Sequence, residues 1–256
     1  MKTLIFSAIA LSSLIASFAF AEETKPDNEV SFNLGATSDY RYRGISQTRL
    51  QPALQGGADY VNNPNSFYMG AWFSTISWIK DIPNGGNTPL EIDLYLGKRG
   101  EITKDVSYDI GVLSYVYNKN NLGHLAGFAN AATTEIYGQI GYGPAYFKYS
   151  RSVTDLFGNP DSKNSGYLDV GANIDLGNDY TLNLHAGNQK VTGPNSSAAS
   201  YNDYKIGISK VCTDLKGATV SIAAIGTNGD RVFYASPANG KNLAKSSIVV
   251  AITASF

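Results

Sequence analysis

Charged side chains recur in this chain two residues apart. Asp39, Arg41 and Arg43 form one such series, and Glu91 with Asp93 another. Side chains at that spacing share one face of an extended strand, and two carboxylates so placed could serve as acid and base on a glycosidic bond. Nucleophilic catalysis needs a base in reach of the nucleophile, and the chain holds only His124 and His185. His124 sits among Gly and Ala, and His185 is followed two residues on by Gly187 rather than a serine. The sequence has no Gly-x-Ser-x-Gly, His-Glu-x-x-His or phosphate-binding glycine loop, and no cluster with metal-ligand spacing. The expectation is a protein without catalysis or cofactor, whose charges line a hydrated wall. Cys212, the single cysteine, leaves no disulfide framework and reads as a small packing residue.

The elements that position those charges follow from alternation. From Val30, the even positions read Val30, Phe32, Leu34, Ala36, Ser38, Tyr40 and Tyr42. The odd positions read Ser31, Asn33, Gly35, Thr37, Asp39, Arg41 and Arg43. A period of two puts these sets on opposite faces of a strand, whereas a helix would mix them. The pattern returns at 90–97, 167–176, 180–187 and 248–256, with weaker stretches at 52–61, 67–76, 107–117, 134–142, 145–153, 203–211 and 218–226. These make about twelve strands near the ~9–11 residues that a tilted strand needs to cross a bilayer. Composition agrees: 12% of residues are aromatic and only 16% charged, against about 25% charged in soluble domains. A net charge of −1 offers no basic field to nucleic acid.

The connections carry a second regularity. Short ones (62–66, 100–106, 143–144, 177–179, 213–217) alternate with long polar ones (78–88, 118–133, 154–165, 189–200, 228–245). An antiparallel up-and-down barrel with tight turns at one rim gives this result, and an even strand count brings both termini to the tight-turn, periplasmic side. The fold class expected is therefore an all-β transmembrane barrel over residues 30–256. Lys2, the apolar run at 4–18 and the small-x-small site Ala19-Phe20-Ala21 make residues 1–21 a secretory signal peptide. Residues 22–29 are then a short periplasmic lead. Phe256, an aromatic terminus after Ile252-Thr253-Ala254-Ser255, is the expected signal to the barrel-assembly machinery of a Gram-negative outer membrane.

With the apolar face toward lipid, Tyr40, Tyr42, Tyr60, Phe67, Tyr108, Tyr142, Phe147, Tyr180 and Tyr204 fall near strand ends. Rings with a polar tip favour the two bilayer interfaces, so these residues are expected to form aromatic girdles. The opposite face lines the lumen with Asp39, Arg41, Arg43, Asp59, Glu91, Asp93 and Arg99, then Asp109, Glu135, Lys148, Asp169, Asp175, His185 and Lys205. Acids exceed bases there, which implies a mild cation preference. Glycines such as Gly97, Gly111, Gly171 and Gly187 share this face, where they leave room in the lumen or relax the curvature of closure.

Several runs are more specific: Ser38-Asp39-Tyr40-Arg41-Tyr42-Arg43-Gly44-Ile45-Ser46-Gln47-Thr48, Pro52-Ala53-Leu54-Gln55-Gly56-Gly57-Ala58-Asp59-Tyr60, Phe67-Tyr68-Met69-Gly70-Ala71-Trp72 and Glu91-Ile92-Asp93-Leu94-Tyr95. In these the chain resembles the TorF-type porin family, a proteobacterial family long catalogued as conserved proteins of unknown function. The resemblance spans nearly all of the mature chain, is densest over 38–97, and is loose in the second half. It implies an outer-membrane barrel and a porin, with no established substrate.

The function expected is an outer-membrane channel for passive diffusion of small hydrophilic solutes, with lipid and the assembly machinery as its other partners. The alternative is a structural or adhesive barrel with a plugged lumen, acting through the loops at 118–133 and 228–245. Strand one is expected to end at Tyr42. The loop from Gly44 to Pro52 is expected to cap the first hairpin outside, the other option being that Ser46, Gln47 and Thr48 fold back over the mouth.

Overall fold

The computed structural model describes residues 26–256; the expected signal segment at 1–21 lies outside them. The strands in chain order are β1 (Asn28–Thr37), β2 (Arg41–Tyr42), β3 (Ile45–Ser46), β4 (Ala53–Asn62), β5 (Phe67–Thr75), β6 (Leu90–Thr103) and β7 (Val106–Val116). There follow β8 (Thr133–Tyr142), β9 (Ala145–Ser152), β10 (Gly166–Gly177), β11 (Tyr180–Lys190), β12 (Tyr201–Cys212), β13 (Ala218–Thr227) and β14 (Ser247–Ser255). All but β2 and β3 form a closed antiparallel barrel of twelve strands in which each pairs with its neighbour along the chain. The seam runs between β1 and β14 from Asn33↔Ser255 to Thr37↔Ala251, and Phe32 and Phe256 exchange both backbone hydrogen bonds beyond it. Closure leaves no strand edge unpaired.

Alternation sets the two surfaces. Phe32, Leu94, Ile136, Val170, Ile206, Ile222 and Ile248 point outward and are exposed, so the apolar face circles the whole cylinder. Soluble monomers rarely show a continuous apolar surface of that extent. Among the described residues no helix is long and apolar enough to cross a membrane.

The tight turns of β4–β5, β6–β7, β8–β9, β10–β11 and β12–β13 lie at one end with the start of β1 and the end of β14, and the long loops lie at the other. Tyr60, Phe67, Tyr108, Tyr142, Phe147 and Tyr180 are on the outer face within a few residues of those turns, and Phe256 joins them; Tyr204 is outward near the long-loop end. Lys98, outward and opposite Phe67, is close to the tight-turn rim, while Arg151, outward near the other rim, donates to Asn164. Neither reverses the inside–outside parity of its strand.

One element differs from expectation. Strand one leaves the wall at Thr37, not Tyr42, and residues 38–52 pass into the barrel. Tyr40 is only 5% exposed and packs edge-on against Trp72, and Tyr42 packs against Tyr115 and Phe157. Both are interior residues rather than girdle residues. Asp39, Arg41 and Arg43 accordingly sit on this inserted segment and not on the wall.

The seam can be tested by crosslinking. In a Cys212→Ser background, Leu34→Cys with Ala254→Cys, which face each other across β1 and β14, is expected to form a disulfide on mild oxidation. Leu34→Cys with Val250→Cys, four residues out of register, is expected to stay reduced. Equal crosslinking of both pairs would mean the seam is not in this register.

Candidate functional site

The site begins with a hairpin. Arg43 and Gly44 both have positive φ, 45° and 80°, which turns the chain between β2 and β3 in the manner of a type I′ connection. Asp39 braces its base, accepting from Ser46 Oγ at 2.6 Å and Thr48 Oγ1 at 3.1 Å while pairing with Arg41 Nε at 2.5 Å. Arg41 Nη1 also donates to the carbonyls of Gly44 and Lys245, both at 2.9 Å. At the tip, a Cβ on Gly44 would stand 2.9 Å from Cβ of Asp203 on β12, so backbone there approaches the far wall closely.

Arg43 ties this tip to three strands. Its Nη2 donates to Glu135 Oε2 on β8 and its Nη1 to Gln189 Oε1 on β11, both at 2.7 Å, while its guanidinium lies 4.0 Å above the ring of Tyr167 on β10. The hairpin's flanks follow: Tyr40 donates to Glu91 at 2.5 Å, Tyr42 and Tyr115 share a hydrogen bond of 2.6 Å, and Ile45 packs with Tyr201 and Leu243. At the long-loop rim, Arg49 forks onto Asp81, and Ser77 N–H donates to the Gln47 carbonyl at 2.9 Å. The segment therefore crosses the lumen from the β4–β8 wall to β12.

The interior is thereby divided. In the long-loop half, Glu91, Asp93, Glu135, Asp169 and Asp203 are at most 5% exposed. In the tight-turn half and at mid-height, Asp59, Asp109, Lys148, His185 and Lys205 are partly exposed, and Arg99 and Asp175 are exposed. The Glu91–Asp93 pair is enclosed beneath the hairpin: Glu91 accepts from Tyr40 and Tyr117, and Asp93 Oδ1 is buried with no partner among the described residues. His185 is held between two carboxylates, Nδ1 at 2.8 Å from Asp169 and Nε2 at 2.6 Å from Asp203, with Tyr167 Oη 3.1 Å from Nε2. An imidazolium satisfies that setting with both N–H groups. His124 lies in a helical turn of the loop after β7.

Sequence reasoning missed Asp203, which lies on the inward parity of β12, and it missed the interior tyrosines as a set. Tyr95 and Tyr167 had the signal, since they alternate with apolar residues on the polar face. Their hydroxyls cap wall carboxylates: Tyr95 donates to Asp59 at 2.6 Å, Tyr68 to Asp109 at 2.5 Å and Tyr167 to Asp203 at 3.0 Å. The inward glycines make room for these rings, which lie flat on the neighbouring strand. A Cβ at Gly97 would be 2.6 Å from Cζ of Tyr68, and one at Gly111 would be 2.7 Å from Cζ of Tyr137. Each such pair is directly opposite in register, an arrangement in which the ring covers the glycine's exposed backbone.

A family model described as a bacterial protein of unknown function, Gcw_chp, matches residues 21–256. The chain belongs to the Gcw_chp family. No curated protein matches it in sequence. Among solved structures, this Gcw_chp barrel is similar to the KdgM porin, with a TM-score of 0.53 and 8% identity over 88% of this chain and 99% of that one. It is also similar to the NanC porin, with a TM-score of 0.52 and 11% identity over 88% of this chain and 98% of the other. A structure of the KdgM porin in complex with disordered oligogalacturonate gives 0.52 at 7% identity, over 89% and 98% of the two chains. At such identities the likeness is one of fold.

Removing one partner of a buried ion pair costs about 3–5 kcal/mol because the other charge is stranded. Arg43→Ala is therefore expected to eject the hairpin rather than unfold the barrel. The check is limited trypsinolysis of the folded protein: the variant is cut at Arg41 or Arg49, the parent is not, and Arg43→Ala with Glu135→Gln regains resistance in part. Equal resistance of parent and Arg43→Ala would show that Arg43 does not hold the segment.

Proposed function

We propose that this chain is exported by residues 1–21 and forms a porin-like channel in the outer membrane of a Gram-negative bacterium, with residues 38–52 as its constriction. Both termini and the tight turns then face the periplasm, Tyr60, Phe67, Tyr108, Tyr142, Phe147 and Tyr180 mark one bilayer interface, and Tyr204 stands toward the other. The observation that carries this reading is the pairing of a continuous apolar exterior with a charged, partly water-facing interior, a combination that suits lipid outside and an aqueous path inside. The fold shared with the KdgM and NanC porins supports it, as does the resemblance to the TorF-type porin family.

Small hydrophilic solutes suit the open half, where Asp59, Asp109 and Asp175 face Arg99, Lys148 and Lys205 in equal number. The acid excess read along the strands lies under the hairpin, where Glu135 is engaged by Arg43 and Asp169 and Asp203 by His185. Selectivity is therefore weak and cation-leaning while the hairpin is seated.

The plugged barrel is the second reading, favoured by the near-complete enclosure of Glu91, Asp93 and Glu135. Planar-bilayer conductance separates the two. The channel reading expects small steps from the parent protein, and several-fold larger, more cation-selective steps once residues 39–50 are replaced by a short Gly-Ser turn. A parent that insulates while the shortened chain conducts would establish the plug, and two insulating proteins would end the channel reading. Assembly is tested by Phe256→Ala, which is expected to lower the yield of heat-modifiable barrel in the outer membrane without altering export.

A further inference from the structure

Across β6 to β10 the inward side chains of one register row read Arg99, Asp109, Gln139, Lys148 and Asp169, each opposite the next. Opposite charges facing each other on neighbouring strands normally pair. Here they do not: among the described residues neither Arg99 nor Lys148 reaches a carboxylate at ion-pair distance. Each cation instead lies over a tyrosine, with the Arg99 guanidinium 4.9 Å above Tyr68 and the Lys148 ammonium 4.0 Å above Tyr137. Asp109 turns the other way, accepting from Tyr68 at 2.5 Å, and the two phenols bond each other. The tyrosine pair thus holds two cations apart from the carboxylate between them, in the half of the lumen that water reaches.

We infer that Arg99 and Asp109 form a binding subsite for small zwitterionic solutes, whose ammonium sits on Asp109 and whose carboxylate sits on Arg99, with Lys148 two strands beyond Asp109 in the same row. The inference rests on the channel reading and deepens it. A simple anion entering the row meets Asp109, and a simple cation meets Arg99 and Lys148; like charges set side by side cost free energy. A neutral solute makes hydrogen bonds but leaves both signs of wall charge to water. Only a solute with both charges a few ångström apart answers adjacent strands about 4.8 Å apart with charge-assisted hydrogen bonds at each end. Gln139, buried between Asp109 and Lys148 in the row, keeps the second cation at a distance from the acid.

Two isomers make the test. Glycine and glycolamide have the same atoms and nearly the same size, one zwitterionic and one neutral. Proteoliposomes swollen in each at low millimolar concentration are expected to admit glycine several-fold faster through the parent channel. Asp109→Asn, which keeps the acceptor for Tyr68, and separately Arg99→Met are expected to bring the glycine and glycolamide rates together. Glycine no faster than glycolamide in the parent, or an advantage that survives both substitutions, would overturn the subsite and leave the channel standing. Vesicles closed to both isomers and to potassium chloride would refute the channel, and the subsite with it.

Discussion

The structure depends on closing one sheet upon itself. In hydrocarbon an unsatisfied backbone N–H or carbonyl costs several kcal/mol, so a strand ribbon can face lipid only when its last strand returns to its first. Here β14 pairs with β1 and the chain's final residue bonds Phe32. Once closed, a period of two fixes the rest: the apolar row must face outward and every polar or charged side chain of the wall must face its neighbours across the interior. The chemistry of this protein is set by how those inward groups are satisfied.

They are satisfied in two ways. In the tight-turn half, tyrosines lying over glycines cap the carboxylates, and water reaches the charges that remain. In the other half a piece of backbone does the work. The hairpin at 38–52 brings its own guanidinium to Glu135, its own phenol to Glu91, and apolar residues to both walls. A barrel of this strand number is too wide to be filled by wall side chains alone, so an inserted segment has room to lie across it. The hairpin thus narrows the path at one level and leaves a polar vestibule beneath.

Much of this was legible beforehand. Period-two alternation located all twelve barrel strands to within a few residues at most of their ends, and the alternation of short and long connections identified the two rims. The hairpin was not legible, for a physical reason. Tyr40, Arg41, Tyr42 and Arg43 alternate as strand residues do because they belong to a two-stranded ribbon, and a ribbon inside the barrel has the same period as a strand in its wall. What separates them is the positive φ at Arg43, a residue type that gives no warning of it; the Gly44 that follows was the available hint. The interior tyrosines were hidden differently. An aromatic on a membrane strand reads first as an interface residue, and only strict parity places Tyr68, Tyr137 and Tyr167 inside. Asp203 was readable, since it shares the inward parity of Lys205 and Ser209 while Tyr204, Ile206 and Ile208 take the other face.

The central claim is that residues 38–52 lie within the lumen, bonded to both walls. Amide hydrogen exchange on the membrane-inserted protein addresses it directly. The account expects amides of Tyr40, Ser46 and Gln47, which are hydrogen-bonded and enclosed, to exchange as slowly as those of β8 and far more slowly than the exposed residues 237–241 of the last long loop. Exchange of 38–52 within seconds, at the rate of a solvated external loop, would contradict it.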